Sequence, residues 1–263
     1  MLIDTHAHLD MKEFKHEVSA ILSRAKTVGV EKVISVGTDP DSSKAAIDLA
    51  RRYPEIYATV GMHPDAANLL DIETRSYVSD LATHDKVVAI GEIGLDYYYL
   101  KRSSKYARYP KREEQIFCFE QMLDIALEHQ KPVVIHTREA EADTIAILKS
   151  YGGSLKGVVH CFCGDWGFAE KILDLGMAIS FTGNITFKNN SGIAHVIKRL
   201  PIGSIMVETD APFLTPEPHR GKRNEPSFVI EVARKIAEIK GVSLAEVEME
   251  TTKKASKLFN IKI

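Results

Sequence analysis

Val87-Val88-Ala89-Ile90-Gly91-Glu92-Ile93-Gly94-Leu95-Asp96 is an apolar, β-branched run that closes on two carboxylates set among glycines. A strand that alternated apolar and polar residues would cover one face of a core. A continuous apolar run belongs to a strand buried on both faces, as in a parallel sheet. The same kind of run recurs on either side, at 1–5, 32–36, 56–60, 132–135, 157–159, 177–181 and 204–207, which makes eight. The polar residues gather where the runs stop. The first closes on Asp4-Thr5-His6-Ala7-His8, the fifth on His136, the sixth on His160 and the eighth on Glu208-Thr209-Asp210.

Between the runs the apolar spacing changes to three and four residues. Val18, Ile21, Leu22 and Ala25 precede Gly29; Ile116, Phe119, Met122, Leu123, Ala126 and Leu127 precede Pro132; Ala169, Ile172, Leu173 and Leu175 precede Gly176. Strand and helix alternating eight times predict an α/β fold with parallel strands. A doubly wound open sheet shares that alternation. Metal-capable groups at the ends of five of eight strands favour the (β/α)8 TIM barrel, whose active site is assembled from C-terminal strand ends. The length, 263 residues, suits one such domain, and no Pro/Gly/Ser-rich linker divides residues 1–263.

Composition narrows the function classes. The chain is 44% hydrophobic and 27% charged, with a net charge of -2, so it lacks the basic excess of a protein that coats long nucleic acid. Its three cysteines, Cys118, Cys161 and Cys163, are too few for a disulfide framework. No secretory leader and no membrane span are expected, and the expected location is the cytoplasm. There is no P-loop, no dinucleotide-binding glycine motif and no Gly-x-Ser-x-Gly elbow.

The chemistry therefore rests on the strand ends. His6 and His8 are two apart, which in a strand turns both imidazoles to one side, where they can grip one cation. His136, His160 and Asp210 at equivalent ends complete a metal set. Glu92 has two carboxylate oxygens and can bind one cation with each, holding two about 3.5–4 Å apart; the alternative is a carboxylate capping a helix. Asp210 is placed to bind metal and to orient or deprotonate an attacking water. Glu208, deeper in its strand, reads as a hydrogen-bond partner of a ligating histidine or as a buried structural carboxylate.

Further residues read as substrate contacts. His63, in Gly61-Met62-His63-Pro64, is either a phosphate or leaving-group contact or a turn residue held by its proline. Arg138 follows His136 and is a candidate phosphate contact, with an exposed helix-start arginine as the alternative. Arg220, Arg223 and Asn224 follow the eighth strand, where such barrels often bind phosphate. The basic stretch 100–112 is either a solvated loop or a phosphate-contacting one. Cys161-Phe162-Cys163 has no second cysteine pair to complete a zinc–thiolate site, and reads as reduced thiols.

These motifs together resemble the TatD family of metal-dependent deoxyribonucleases, among the amidohydrolase-like barrels. The markers run in order along nearly the whole chain: Ile3-Asp4-Thr5-His6-Ala7-His8-Leu9, Gly61-Met62-His63-Pro64, Gly91-Glu92-Ile93-Gly94-Leu95-Asp96-Tyr97, Pro132-Val133-Val134-Ile135-His136-Thr137-Arg138, His160-Cys161-Phe162, Val207-Glu208-Thr209-Asp210-Ala211-Pro212, and Arg220-Gly221 leading to Asn224-Glu225-Pro226. The resemblance implies two divalent metal ions bound by His6, His8, Glu92, His136, His160 and Asp210. It also implies hydrolysis of DNA phosphodiesters, often from a 3′ end. The stretch 98–112 departs from the family in being longer and more basic.

The expected function is thus a DNase, a 3′–5′ exonuclease on single-stranded ends, using Mg2+, Mn2+ or Zn2+. Two rival readings remain at this point. One is a metal-dependent ester or amide hydrolase, such as a D-aminoacyl-tRNA deacylase, because the same activated water attacks a carbonyl. The other is a metal-binding scaffold without turnover.

Overall fold

Eight strands form one parallel sheet in sequence order: β1 (Leu2–Ala7), β2 (Val30–Val36), β3 (Ile56–Val60), β4 (Val87–Asp96), β5 (Val133–Arg138), β6 (Gly157–Val159), β7 (Ala178–Phe181) and β8 (Ile205–Val207). This computed structural model describes residues 1–100, 102, 109–188 and 190–263. The helices outside the strands are α1 (Val18–Thr27), α2 (Pro40–Arg52), α3 (Ile72–Ala82), α4 (Arg112–Glu128), α5 (Glu141–Ser150), α6 (Trp166–Asp174), α7 (Ser191–Arg199), α8 (Val229–Lys240) and α9 (Leu244–Phe259). The first and last strands meet at the mouth: Asp210 N donates to His6 O and His8 N to Ala211 O, each at 2.8 Å. The fold is a (β/α)8 barrel, as the strand runs imply.

Two apolar layers explain why the strands are apolar on both faces. The larger lies between strands and helices. The smaller fills the barrel with Ile3, Ile34, Val36, Val88, Val134, Val158, Ala178 and Met206, and Ala255 and Phe259 of α9 with Ile261 pack against it. Two residues beyond Val134, Val158 and Met206 stand His136, His160 and Glu208. Side chains two apart share a strand face, so the face that packs the barrel's centre carries the polar groups at its mouth. In β1 the spacing from Ile3 to His6 is odd. The register shifts between Asp4 and Ala7, and that irregularity resets the phase.

β4 also runs further than its apolar part. It continues through the glycines to Asp96, pairing Gly94 with His136 and Asp96 with Arg138. Gly94 has φ +142°, and a Cβ there would lie 2.0 Å from His136 O. Only glycine lets β4 approach β5 this closely beside a site histidine.

Candidate metal centre

Glu92 lies at the middle of the barrel mouth, its side chain 5% exposed, and its two oxygens face two different pairs of imidazoles. Oε2 is 3.3 Å from His6 Nε2 and 3.8 Å from His8 Nε2. Oε1 is 2.8 Å from both His136 Nδ1 and His160 Nε2. Asp210 Oδ1 joins the first pair, 3.4 Å from His8 Nε2 and 3.7 Å from His6 Nε2. His63 Nε2 approaches the second side, 3.6 Å from Glu92 Oε1. All six sequence-predicted ligands therefore converge, with His63 beside them.

The spacing fits cations. The Nε2 atoms of His6 and His8 are 3.3 Å apart, as are His136 Nδ1 and His160 Nε2. Two ligands at about 2.0–2.1 Å from a tetrahedral ion are separated by about 3.3 Å. The five measured separations among His6, His8, Glu92 Oε2 and Asp210 Oδ1 run from 3.3 to 3.8 Å. His6, His8 and Glu92 form one cluster with metal-ligand spacing, and His63, Glu92 and His136 another. Imidazoles and carboxylates are donors suited to Zn2+, Mn2+ or Fe2+.

Electrostatics agree with the geometry. Burial opposes ionisation of Glu92, but the charges of His160 and His63 and the hydrogen bonds from His136 and His160 hold its pKa well below the ordinary value. Asp210 is likewise lowered against its burial by the His8 hydrogen bond and by the charges of His6 and His8. Burial lowers His160, yet Glu92 and Glu208 raise it well above its usual value. Burial and the charge of His160 lower His6, so it is protons on His8, His136 and His160 that balance the buried carboxylates here, the task that cations would take over.

A second layer orients these groups. Glu208 Oε1 accepts from Cys161 N at 2.7 Å and stands 3.3 Å from His160 Nδ1. His8 Nδ1 is 3.3 Å from Val36 O. Three carboxylates given no role by the sequence reading also belong to this layer. Asp65 bonds His63 Nδ1 at 2.7 Å, which leaves Nε2 facing Glu92. Asp96 Oδ2 is 3.5 Å from His136 Nε2. Asp4, wholly buried, accepts from Thr209 N at 2.8 Å and Thr209 Oγ1 at 2.6 Å, which ties β1 to the segment carrying Asp210. Asp65 and Asp96 lay inside or beside quoted motifs, so proximity to His63 and Glu92 was the available signal.

The loop after β8 differs from expectation. Arg223 donates to Glu13 O and to Glu17 Oε2, and its guanidinium lies 4.8 Å from the Phe14 ring centroid. Asn224 is fully buried: its amide nitrogen donates to Thr209 O and Phe213 O, and its oxygen accepts from Glu225 N. Both side chains are committed within the protein, Arg223 to Glu13 and Glu17 and Asn224 to the Asp210 segment, instead of standing ready for phosphate. Arg220 covers the Phe187 ring at 4.0 Å and donates to Thr215 O. Arg138 keeps its guanidinium at the mouth, 3.6 Å from the Tyr98 ring centroid. In the basic stretch, Arg102 pairs with Glu139 and Arg112 with Asp143, while Lys101, Lys105 and Arg108 lie outside the described residues. Cys163 is exposed, Cys161 half-buried, and both thiols are free.

The family described as TatD related DNase matches residues 3–260. The chain belongs to the TatD family. It is 39% identical over 262 residues to the "Uncharacterized metal-dependent hydrolase YabD" of Bacillus subtilis (strain 168), covering 99% of this chain and all of that one. It is 37% identical over 265 residues to the like-named YcfH of Escherichia coli (strain K12), covering 99% and 96%. The crystal structure of YJJV, a TatD homolog from Escherichia coli K12, superimposes with a TM-score of 0.89 at 29% identity, covering 99% of this chain and 98% of that one. This TatD protein is thus a metal-dependent hydrolase of barrel fold, and the mouth cluster is its candidate metal centre. No helix among the described residues is long and apolar enough to cross a membrane.

Proposed function

We propose that this TatD-family hydrolase cleaves phosphodiester bonds in DNA, working from single-stranded 3′ ends in the cytoplasm with two divalent cations. The observation that carries the reading is Glu92, whose two oxygens are divided between two imidazole pairs. One ion would be held by His6, His8, Asp210 and Glu92 Oε2, the other by His136, His160 and Glu92 Oε1. Bound there, such ions supply charge neutralisation for a phosphoryl group and a more acidic water at neutral pH.

The chain's own groups do the rest. Asp210 is the least buried of the two central carboxylates, at 15% against 5% for Glu92, so it meets what enters the mouth. As a carboxylate it accepts the proton of the attacking water. Glu208 and Asp96 fix the ring orientations of His160 and His136 from behind. His63, tethered through Nδ1 to Asp65, presents Nε2 to a phosphate or leaving oxygen. Arg138 adds the positive charge that favours a phosphate over a neutral ester.

The test is turnover of end-labelled single-stranded DNA beside an aminoacyl ester, with Mg2+, Mn2+ and Zn2+ in turn. Shortening of DNA from the 3′ end is expected. Ester turnover without DNA cleavage would move the activity to acyl transfer, and full metal loading with neither would leave a binding scaffold.

A further inference from the structure

Arg138 is set up unlike the other arginines at this end of the barrel. It lies two residues beyond His136 on β5, so its side chain leaves the same strand face, about 6.6 Å further out. Thr137, between them, bonds Thr144 on α5 instead. The Arg138 guanidinium lies flat against one face of Tyr98, 3.6 Å from the ring centroid, and the Arg102 guanidinium covers Tyr98 at 3.5 Å. Arg102 is itself anchored, by Tyr98 O at 2.7 Å and Glu139 Oε1 at 3.0 Å. Arg138 has no such anchor. Among the described residues no carboxylate or carbonyl pairs with it, and it is exposed. Its face is fixed and its donor edge is open.

Two cations on one aromatic ring repel each other unless something holds them. Arg102 has its carboxylate, and among the described residues Arg138 has only the rings of Tyr98 and, at 5.7 Å, Tyr99. A planar guanidinium with a fixed face and an open edge is shaped for two parallel hydrogen bonds to a phosphate. Beside the stack, Tyr109 lies with its ring centroid 5.1 Å from that of Tyr99, and its hydroxyl is buried with no hydrogen-bond partner among the described residues. Buried hydroxyls are normally satisfied, so an acceptor arriving with a ligand accounts for this one.

We propose that Arg138, positioned by the Tyr98–Arg102 stack, receives the phosphate adjacent to the scissile one, so that the site favours strands bearing neighbouring phosphates over isolated phosphodiesters. The inference rests on the DNA reading above and adds which phosphate is bound. The two-residue rise from His136 to Arg138, about 6.6 Å, is comparable to the step between successive phosphates of a strand.

The test compares the metal-loaded enzyme on bis(p-nitrophenyl) phosphate, which has one isolated diester, with its action on a short oligodeoxynucleotide. A second oligonucleotide carries an uncharged methylphosphonate next to the terminal linkage. Arg138→Gln is expected to raise KM for the normal oligonucleotide about 10–100-fold, the size of a charge-assisted contact, and at least tenfold more than for the small diester. The methylphosphonate should impose a similar loss on the unaltered enzyme and little further loss on Arg138→Gln. Tyr98→Leu, which keeps the charge and removes its support, should give an intermediate KM and partial methylphosphonate sensitivity. Turnover of the small diester by each preparation reports that the barrel is folded. Equal losses on both substrates, or indifference of the unaltered enzyme to the methylphosphonate, overturn the subsite while leaving DNA cleavage standing. Hydrolysis of the small diester with no cleavage of either oligonucleotide overturns the DNA reading and the subsite together.

Discussion

Replacing Asp210 by Asn separates proton transfer from everything else this residue does. Asp210 has φ +56°, the left-handed region, which Asn tolerates nearly as well as Asp while Ala is strained there. Asn also keeps the side chain's size and one oxygen, so the segment closed by Asp210 N to His6 O stays in place. What is lost is the negative charge 3.4 Å from His8 Nε2 and the ability to take a proton. Positioned acid–base groups contribute about 10²–10⁴ in rate, or about 2.7–5.4 kcal/mol at 1.36 kcal/mol per tenfold. The assay is single-turnover cleavage of end-labelled single-stranded DNA, with metal content measured on the same samples. A kcat lowered into that range, and still low when added metal has restored full loading, is expected. An undiminished rate, or one recovered by metal alone, would refute the proton-accepting role and leave Asp210 as a ligand only.

Metal loading should release protons. The raised pKa of His8, about 9, arises against burial from its hydrogen bond with Asp210 and nearby carboxylate charge, so at pH 7 the metal-free ring is protonated, whereas a ligand must be neutral. Apparent affinity should therefore fall as pH drops below about 9, and calorimetry in buffers of different ionisation enthalpy should report proton release; buffer-independent heats would contradict it. By the same sign, the His8 interaction stabilises the metal-free protein fully below its unfolded pKa and is lost as pH rises through about 9. Asn224→Ala should leave Thr209 O buried and unpaired and remove the amide partner of Phe213 O, lowering stability by about 1–3 kcal/mol; an unchanged urea midpoint would show that the brace is dispensable. Gly94→Ala should cost at least ~4 kcal/mol or prevent folding, given the 2.0 Å approach to His136 O; a folded variant of ordinary melting temperature would show that β4 and β5 can part.

The barrel and the centre were legible for one reason. Strands buried on both faces are written as unbroken apolar runs, so a histidine or carboxylate that ends such a run at His6, Glu92, His136, His160 or Asp210 stands out. Three features were not legible. The phase reset in β1 leaves no mark in the sequence, because nothing local distinguishes a shifted register from a regular one. The partners of Arg223, Glu13 and Glu17, lie more than 200 residues earlier and claim a side chain that looked available. Asn224 reads in the sequence as a phosphate contact, but whether an amide faces inward to carbonyls or outward to a ligand is set by the path of the Asp210 segment. His63, for which the sequence offers a turn residue or a substrate contact, starts the turn at Pro64 with Nδ1 on the Asp65 carboxylate and Nε2 facing Glu92.

The seam between β1 and the segment after β8 has a consequence for when the hydrolase can become active. His6 and His8 emerge early in synthesis, whereas Asp210 and its partner Thr209 emerge some 200 residues later, and the two ends are joined by Asp4, His6 and Ala211. Such distant pairings are the last that a growing polypeptide can make. A nascent or truncated chain lacking the eighth strand has neither Asp210 nor the seam that holds β1 beside it, so a barrel that hydrolyses must first have finished closing.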